Sequence, residues 1–329
     1  MKGGRRPGFG VVLVAALIAA GTGAGAGVAA TRAGAKLRAA RPATLTGGER
    51  DSLAAAYLAD RNDTEKSMRT NPQSSLGAFA RADFGPEARW LVIGSAPTAN
   101  LQLDDGSVRP QHVKVQVEGT GFRVEALDPG ATFVAYGVGG RDTTAASVAP
   151  SWIGVGRYRV RLSYQNSPAL IAVDPDLPAR AAWPGNAWWP VDLAYRYVVE
   201  LEPDNQPDTV RIESTNGPPR PSLRVGWFAF EVRGKRQRLA ALRLLEPGVG
   251  ESDLSVFFRD ATSGKGSYGM GRYVDPERRP DGRWVLDFNL AYNPACAVSP
   301  YYNCPLPPQE NELKAAIKAG EAYHGEGHP

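Results

Sequence analysis

The feature that most constrains the fold is a series of short apolar runs that recur at intervals of roughly ten residues. The runs alternate or are continuously apolar, and Gly, Pro, Asn and Asp separate them. This pattern is typical of antiparallel sandwiches and barrels. The predicted strands are Trp90–Ile93, His112–Val117, Phe122–Leu127, Thr132–Tyr136, Arg157–Leu162, Leu170–Val173, Tyr195–Leu201, Thr209–Ile212, Arg224–Val232, Gln237–Leu244, Leu254–Phe258 and Trp284–Phe288.

Helical spacing is confined to the two ends of this series. From Glu49 to about Arg69, good helix formers place Leu53, Ala56 and Tyr57 on one face. A second, shorter helix is predicted from about Gln309 to Ala319. We therefore predict a mainly β fold, made of antiparallel sandwich or barrel units with an N-terminal helix and a short C-terminal helix.

The turn-rich stretch from Gly139 to Pro150 is the natural place for a division between two β units, although one continuous β architecture is the alternative. The predicted organisation is a leader over residues 1–35, a linker over 36–48, a helix with a first β unit over 49–145, a larger β unit over 146–321 and a disordered tail over 322–329.

The leader has the three parts of a secretory signal: a basic start, the apolar run from Val11 to Ala20, and small residues suited to cleavage. An uncleaved anchor is the alternative, because Gly8 to Thr31 contains no charge and about 20 such residues span a bilayer. Both alternatives predict an exported, extracytoplasmic protein, secreted or held by its N-terminal segment. Contact with a membrane is expected only through that segment, if it stays uncleaved.

The charge distribution argues against a nucleic-acid partner. The chain has a formal net charge of +4, but residues 1–41 carry seven bases and no acid. The remaining 31 bases face 34 acids, a net charge of −3. The basic character therefore belongs to the leader, and no basic patch for DNA or RNA is predicted in the body.

Cys296 and Cys304 are the two cysteines of the chain, eight positions apart in a proline-rich loop. In an oxidising compartment such a pair predicts one disulfide. Two free structural thiols and half of a metal site are the alternatives, the latter opposed by the lack of a CxxC pair. We predict no metal and no cofactor.

Two stretches concentrate polar side chains among glycines and aromatics. The first, residues 257–274, contains Asp260, Thr262, Ser263, Lys265, Tyr268 and Arg272, and it does not fit a phosphate-binding P-loop. It is interpreted either as the edge of a ligand site or as an Asx turn between strands.

The second stretch, residues 286–321, places Asp287 and Asn289 on one face of a strand, followed by Asn293. Such groups line pockets for polar ligands, and they also pin long loops through side-chain-to-backbone hydrogen bonds. Arg272 with Asp287 is predicted to be an ion pair joining the two stretches, or an acid–base site with its electrostatic partner.

Three tryptophans, Trp183, Trp188 and Trp189, lie in one prolyl loop. They are interpreted as a plug at the end of a β-sandwich, with a sugar-stacking platform as the alternative.

The segment from Leu91 to Tyr136 resembles a forkhead-associated β-sandwich, on the residues IGSAPTANLQLDD and VRPQHVKV. The family's phosphate contacts are an arginine and a serine, whereas this chain has Ser95 and Arg109 at those positions. The resemblance therefore implies the scaffold without phosphopeptide recognition. His112 is expected to brace a turn.

The blocks FFRDATSGKGSYGMGRYV and LDFNLAYNPACAVSPYYNCPLPPQENELKAAIKAGE resemble the signature of an uncharacterised bacterial family, domain of unknown function 1684. The resemblance extends from about Glu49 to Glu321, and the family has no assigned reaction. The candidate ligand-binding residues that it implies are Asp260, Ser263, Tyr268, Arg272, Asp287, Asn289, Asn293 and Asn311, and it includes Cys296 and Cys304.

Three functional hypotheses follow. The first is an exported, non-catalytic β module that binds a small polar ligand at the cell envelope. The second is a metal-free hydrolase or lyase that uses Asp260 or Asp287 as acid or base and Arg272 to stabilise an oxyanion. The third is a purely structural envelope protein. Whether the protein is an enzyme is left open by the sequence, and convergence of these three side chains in one concave pocket is the discriminating observation.

Overall fold

The computed structural model describes residues 38–325. The chain forms two β units, with the long helix α1 at Gly47–Thr70 and the short helix α2 at Pro178–Ala182. The mainly β prediction is confirmed, and within the described range the sheets remain open rather than closing into a barrel. None of the helices in that range is both long and apolar enough to cross a bilayer.

The first unit contains eleven strands. Strands β1 to β11 are Ala78–Asp83, Trp90–Gly94, Leu101–Gln102, Val113–Glu118, Gly121–Ala126, Phe133–Ala135, Asp142–Thr143, Ala145–Val148, Trp152–Val155, Tyr158–Tyr164 and Pro168–Val173. They form a five-stranded sheet in the order β3-β2-β4-β5-β8 and a six-stranded sheet in the order β1-β11-β10-β9-β6-β7. All neighbours are antiparallel except β2 and β3.

One apolar core is shared by these two sheets, as in a β-sandwich. Ile93 and Val124 from the five-stranded sheet and Val160 and Leu170 from the other are completely buried in it. Since β8 to β11 complete both sheets, the first unit ends after Val173, and the predicted boundary at 145/146 falls inside it. The turn residues after Gly139 signalled a hairpin-rich stretch within a sandwich, not a linker between units.

The second unit contains nine strands and carries the polar stretches. Strands β12 to β20 are Arg196–Val199, Leu201–Pro203, Thr209–Ile212, Arg220–Val232, Lys235–Leu244, Val256–Phe258, Arg272–Val274, Glu277–Arg278 and Trp284–Asp287. Strands β15 and β16 form a long hairpin, and β13 and β14 pair with β15 at different positions along it. The strands β12-β20-β19 and β17-β18 form two smaller sheets. Aromatic side chains fill the core between them, with Phe230, Phe258 and Tyr197 all around Phe288.

Helix α1 begins at a capping box, in which Thr46 and Glu49 satisfy each other's backbone N–H groups. The predicted inward face is confirmed, since Tyr57 is buried and Leu53 half-buried, while Leu58 on the opposite side is 56% exposed. The helix lies against the second unit, where the Tyr57 hydroxyl reaches Asp287 and Arg61 reaches Trp189.

The predicted C-terminal helix over Gln309–Ala319 is wrong. A single 3-10 turn at Gln309–Asn311 is followed by an extended segment that contributes isolated bridges. We call residues 312–323 the C-terminal segment. Its amides and carbonyls bond to the body of the second unit, and these tertiary bonds replace the intrahelical ones that its composition favours.

The predicted leader lies outside the described residues. The predicted tail is described only to residue 325, and its first part is packed: Ala322 is buried, and the Tyr323 ring lies 5.0 Å from that of Tyr268. Residues 322 and 323 therefore belong to the packed part of the second unit.

Candidate functional site

Asp260 and Arg272 form a buried ion pair at the centre of the first polar stretch. Arg272 begins β18, Asp260 follows β17, and the antiparallel pairing of these strands brings the two residues together. The distance from Arg272 Nη2 to Asp260 Oδ2 is 3.1 Å, and the side chains are 1% and 0% exposed. Burial lowers the pKa of Arg272, and the Asp260 carboxylate opposes that shift.

This pair fixes the C-terminal segment. Arg272 donates to the carbonyl oxygens of Ile317 at 2.7 Å, Ala319 at 2.6 Å and Glu321 at 3.0 Å. The Ile317 N–H donates to Asp260 Oδ2 at 2.7 Å. In a helix, these N–H and C=O groups would bond to each other four residues apart. Because they bond to Asp260 and Arg272 instead, the ion pair favours the extended form of the segment over the predicted helix.

The remaining oxygen of Asp260 organises its own loop. Asp260 Oδ1 accepts from the Thr262 N–H at 2.9 Å and from its hydroxyl at 2.6 Å, which is an Asx turn with an added side-chain bond. Thr262 Oγ1 lies 2.8 Å from Ser267 Oγ, which accepts from the Trp189 indole at 3.0 Å. Ser263 Oγ accepts from the Asp260 N–H at 3.1 Å. Each Asp260 oxygen thus has two donors within the protein.

Asp287 forms a second, separate centre. Its Oδ2 accepts from the Tyr57 hydroxyl at 2.5 Å and lies 3.3 Å from Arg196 Nε, while Oδ1 accepts from both nitrogens of Asn289 at 3.0 and 3.1 Å. Asn289 also exchanges two hydrogen bonds with the backbone of Asp192. Burial raises the pKa of Asp287, while Tyr57, Arg196 and Asn289 oppose the shift. The predicted pairing of Arg272 with Asp287 is not found; Arg272 binds Asp260.

The two nominated asparagines nearer the C-terminus also bind backbone. Asn311 is completely buried, accepts from the Ala240 N–H at 2.6 Å and donates to the carbonyls of Ala240 and Phe257 at 3.1 and 2.8 Å. It thus bonds to the backbone of both β16 and β17. Asn293 donates to the Ala322 carbonyl at 3.0 Å, and its buried Oδ1 has no partner among the described residues.

Cys296 and Cys304 are buried and unbonded to each other, so the structure has two free thiols in place of the predicted disulfide. The Cys296 N–H donates to Cys304 Sγ at 3.3 Å. The contact between the thiols raises the pKa of Cys296 and lowers that of Cys304. Tyr268 lies beside them, with its hydroxyl 3.4 Å from the Cys296 carbonyl.

The tryptophan loop is covered by basic side chains. Arg69 lies over Trp183 at 5.0 Å, Arg61 over Trp188 at 4.8 Å and Lys318 over Trp189 at 5.6 Å. Glu65 accepts from the Trp188 indole at 3.2 Å. These contacts come from α1 and the C-terminal segment, so the loop joins both to the second unit, and each of the three rings has a basic side chain over one face.

A concave site is present in the first unit, away from the nominated residues. A cavity of about 350 Å³ is lined by Arg109, His112, Thr132 and Asp142 among others. His112 braces its wall as expected, since Nδ1 accepts from the Arg109 N–H at 3.0 Å and Nε2 lies 2.8 Å from the Thr132 carbonyl. Across residues 38–325, no three His, Cys, Asp or Glu side chains are grouped to hold a metal.

Several important residues were missed by sequence reasoning. Arg196 and Tyr57, which hold Asp287, lie far away in the chain and were not among the candidate site residues. Glu321 is 5% exposed and accepts from the Asn293 N–H at 2.7 Å and from Asn186 at 3.2 Å. The alternation of strand β12 indicates that Arg196 lies on the face opposite Tyr197, but no neighbouring residue in the sequence indicates that Asp287 is its partner.

The model of the family described as "Protein of unknown function (DUF1684)" matches residues 181–322, which include both polar centres. The chain belongs to this family. The match begins shortly after the first unit ends, so the resemblance expected from Glu49 onward is supported for the second unit. No curated protein matches the chain.

Among solved structures, the chain is similar to an uncharacterized protein of Haloarcula marismortui determined by NMR. The two are 36% identical, over 45% of this chain and 80% of that one, with a TM-score of 0.37. The chain is also similar to two forkhead-associated domains, with 14% and 15% identity. The first comes from a study of phosphothreonine-dependent interactions, and the second is in complex with an intracellular domain. Each covers 28% of this chain, 91% and 96% of its own length, and has a TM-score of 0.19.

Proposed function

We propose that the protein is a non-catalytic β module of the cell envelope, in which the DUF1684 signature residues hold the fold and a small polar ligand binds elsewhere. The observation that carries the non-catalytic part is the internal pairing of Asp260. Both of its oxygens are occupied, by Thr262, Arg272 and the Ile317 N–H, and the residue is buried. A general acid or base needs a proton position that a substrate can reach.

The hydrolase or lyase alternative assigns that role to Asp260 or Asp287, with Arg272 at an oxyanion. Asp287 is as fully engaged as Asp260, and both terminal nitrogens of Arg272 donate to backbone carbonyls. Substrate binding at these groups would first have to release the C-terminal segment. The geometry therefore favours a supporting role for all three side chains.

An envelope location rests on the leader, whose residues are not described. The test is fractionation of cells that carry the protein natively, with mass spectrometry of its N-terminus. Recovery in the envelope or medium supports the proposal, either with cleavage before residue 36 or with an intact anchor. Recovery of the uncleaved chain in the cytoplasmic fraction overturns it.

Ligand binding is tested on the full chain by thermal shift against small anions, small cations, neutral sugars and amino acids. A ligand that binds the native state raises the melting temperature by mass action. A saturable rise with one class, together with no turnover of that compound over hours, supports a binding module. A flat response to the whole panel favours the purely structural alternative, and turnover favours the enzyme.

A further inference from the structure

Buried hydrogen-bond donors without partners lie where the second unit meets the first. Arg220, at the start of β15, is 1% exposed, and its Nη2 has no partner among the described residues. Ser222 is two residues further along the strand, so both side chains lie on the same buried face. Ser222 is completely buried, and its hydroxyl also has no partner within residues 38–325.

The first unit contributes another arginine to the same place. Arg161 of β10 is half-buried, its guanidinium lies 5.6 Å from the Tyr302 ring, and its buried Nε has no partner in the described part of the chain. Its charge acts with that of Arg220 on two buried groups, the Glu246 carboxyl and the Cys304 thiol. We call Arg161, Arg220, Ser222 and Glu246 the seam cluster.

The charge of the seam cluster is not balanced. Glu246 Oε1 lies 2.9 Å from Arg220 Nε, and both side chains are at most 9% exposed. One carboxylate thus faces two guanidinium groups, and burial raises the pKa of Glu246, which weakens its ionised form further. A buried cation without its full set of acceptors is costly, so the cluster favours one more anion.

The kind of anion follows from the unpaired atoms. Arg220 Nη2 and Arg161 Nε can only donate, and the Ser222 hydroxyl can donate as well. Guanidinium groups bind carboxylate and phosphate oxygens with directed, charge-assisted bonds. Arg161 is half-buried, so this side of the cluster lies nearest to the protein surface.

We infer that the seam cluster is a binding site for a small anion with oxygen acceptors, held between Arg161 of the first unit and Arg220 and Ser222 of the second. The inference deepens the proposed function and rests on it, since it names the site and the ligand class of the binding module. It also gives the ligand a structural role, because the bound anion joins the two units.

The test is thermal shift and calorimetry on the full chain with sodium phosphate, acetate and nitrate as probes, and sodium chloride at matched ionic strength. We expect at least one oxyanion to raise the melting temperature in a saturable way and to exceed chloride. Arg161→Gln is expected to weaken its apparent affinity by about tenfold or more, the loss of a charge-assisted bond. The matched control Arg159→Gln, on the same strand, is expected to leave it unchanged.

Glu246→Gln keeps the shape of the side chain and removes the competing negative charge, so we expect it to strengthen anion binding. Ser222→Ala removes one unpaired donor at the cost of a single atom and should weaken binding while the protein stays folded. Equal anion affinity in wild type and Arg161→Gln, or a response no greater than that to chloride, overturns the seam site. If anions fail while a neutral or cationic compound binds, the inference fails and the proposed binding function stands; if nothing binds, both fail.

Discussion

Replacing Asp260 by alanine tests the structural role of the DUF1684 signature most sharply. The substitution removes the acceptor of four hydrogen bonds and leaves the Arg272 guanidinium buried at 1% exposure. Removing one partner of a buried ion pair costs about 3–5 kcal/mol. At roughly 2–4 °C per kcal/mol for a chain of this size class, the melting temperature should fall by about 6–20 °C.

The same substitution should release the C-terminal segment, because Ile317 loses its N–H acceptor and Arg272 loses the charge that orients it. Limited trypsin digestion measures this at Lys314 and Lys318, which are exposed on a segment otherwise held in place. We expect urea denaturation to show the lost stability and trypsin to cleave the variant faster at these lysines.

The matched control is Asp281→Ala, which removes an aspartate that pairs with Arg279 and Arg283 on the surface. Exposed pairs contribute little, so its stability and cleavage should equal those of the wild type. The opposite result would be a free energy of unfolding for Asp260→Ala within about 1 kcal/mol of the wild-type value, well below the cost of a broken buried pair, together with trypsin cleavage no faster than in the wild type. That result would refute the structural role of Asp260.

Three further predictions concern the second centre and the thiols. Tyr57→Phe removes the hydroxyl that donates to Asp287, and urea denaturation should show a loss of about 1.5–3 kcal/mol, whereas an unchanged midpoint would mean that α1 docks without this bond. Burial raises the pKa of Asp287, so the native state binds the carboxyl proton more tightly than the unfolded state does. The free energy of unfolding of the wild type, relative to that of Asp287→Asn, should therefore decrease as the pH rises from 3.8 through the raised pKa. A difference between the two proteins that does not change with pH would contradict this. Alkylation of the denatured, unreduced protein should modify both Cys296 and Cys304, and modification only after reduction would restore the disulfide.

The strands were predictable because their signal is local. Every predicted run contains or overlaps an observed strand, since apolar side chains in a period of two record which face of a sheet is buried. Most of the strands that were missed are short, such as Leu101–Gln102 and Arg272–Val274, and their pairing partners define them more than their own side chains do; the six-residue strand Ala78–Asp83 was also missed.

The C-terminal helix could not be corrected from the sequence. Residues 312–319 have the composition of a helix, and the reason that they do not form one is a pair of side chains about 50 residues earlier. Asp260 and Arg272 were predicted as candidate site residues, but in the sequence alone such a pair suits a ligand site and a structural ion pair equally well. Their hydrogen-bond partners decide between these roles, and most of those partners are backbone atoms, which have no sequence signature.

The division into units was misplaced for a related reason. Glycine and threonine near residue 140 indicate turns, but a turn between strands of one sandwich and a turn between two units have the same composition. Strand pairing separates them, because β11 pairs with β1 across the whole first unit.

Hydrogen exchange in the C-terminal segment tests the central claim most directly. In the wild type, the N–H groups of Leu313, Ile317 and Glu321 bond to the body of the second unit and should exchange slowly. Arg272→Met should speed exchange across residues 313–323 by about 100-fold or more, since each ~1.4 kcal/mol of lost local stability gives tenfold. The exposed control Arg278→Met should leave the segment protected. If Arg272→Met keeps the wild-type protection from hydrogen exchange and is equally or more stable, the pair does not hold the segment. Asp260 and Arg272 would then be better explained as residues of a functional site.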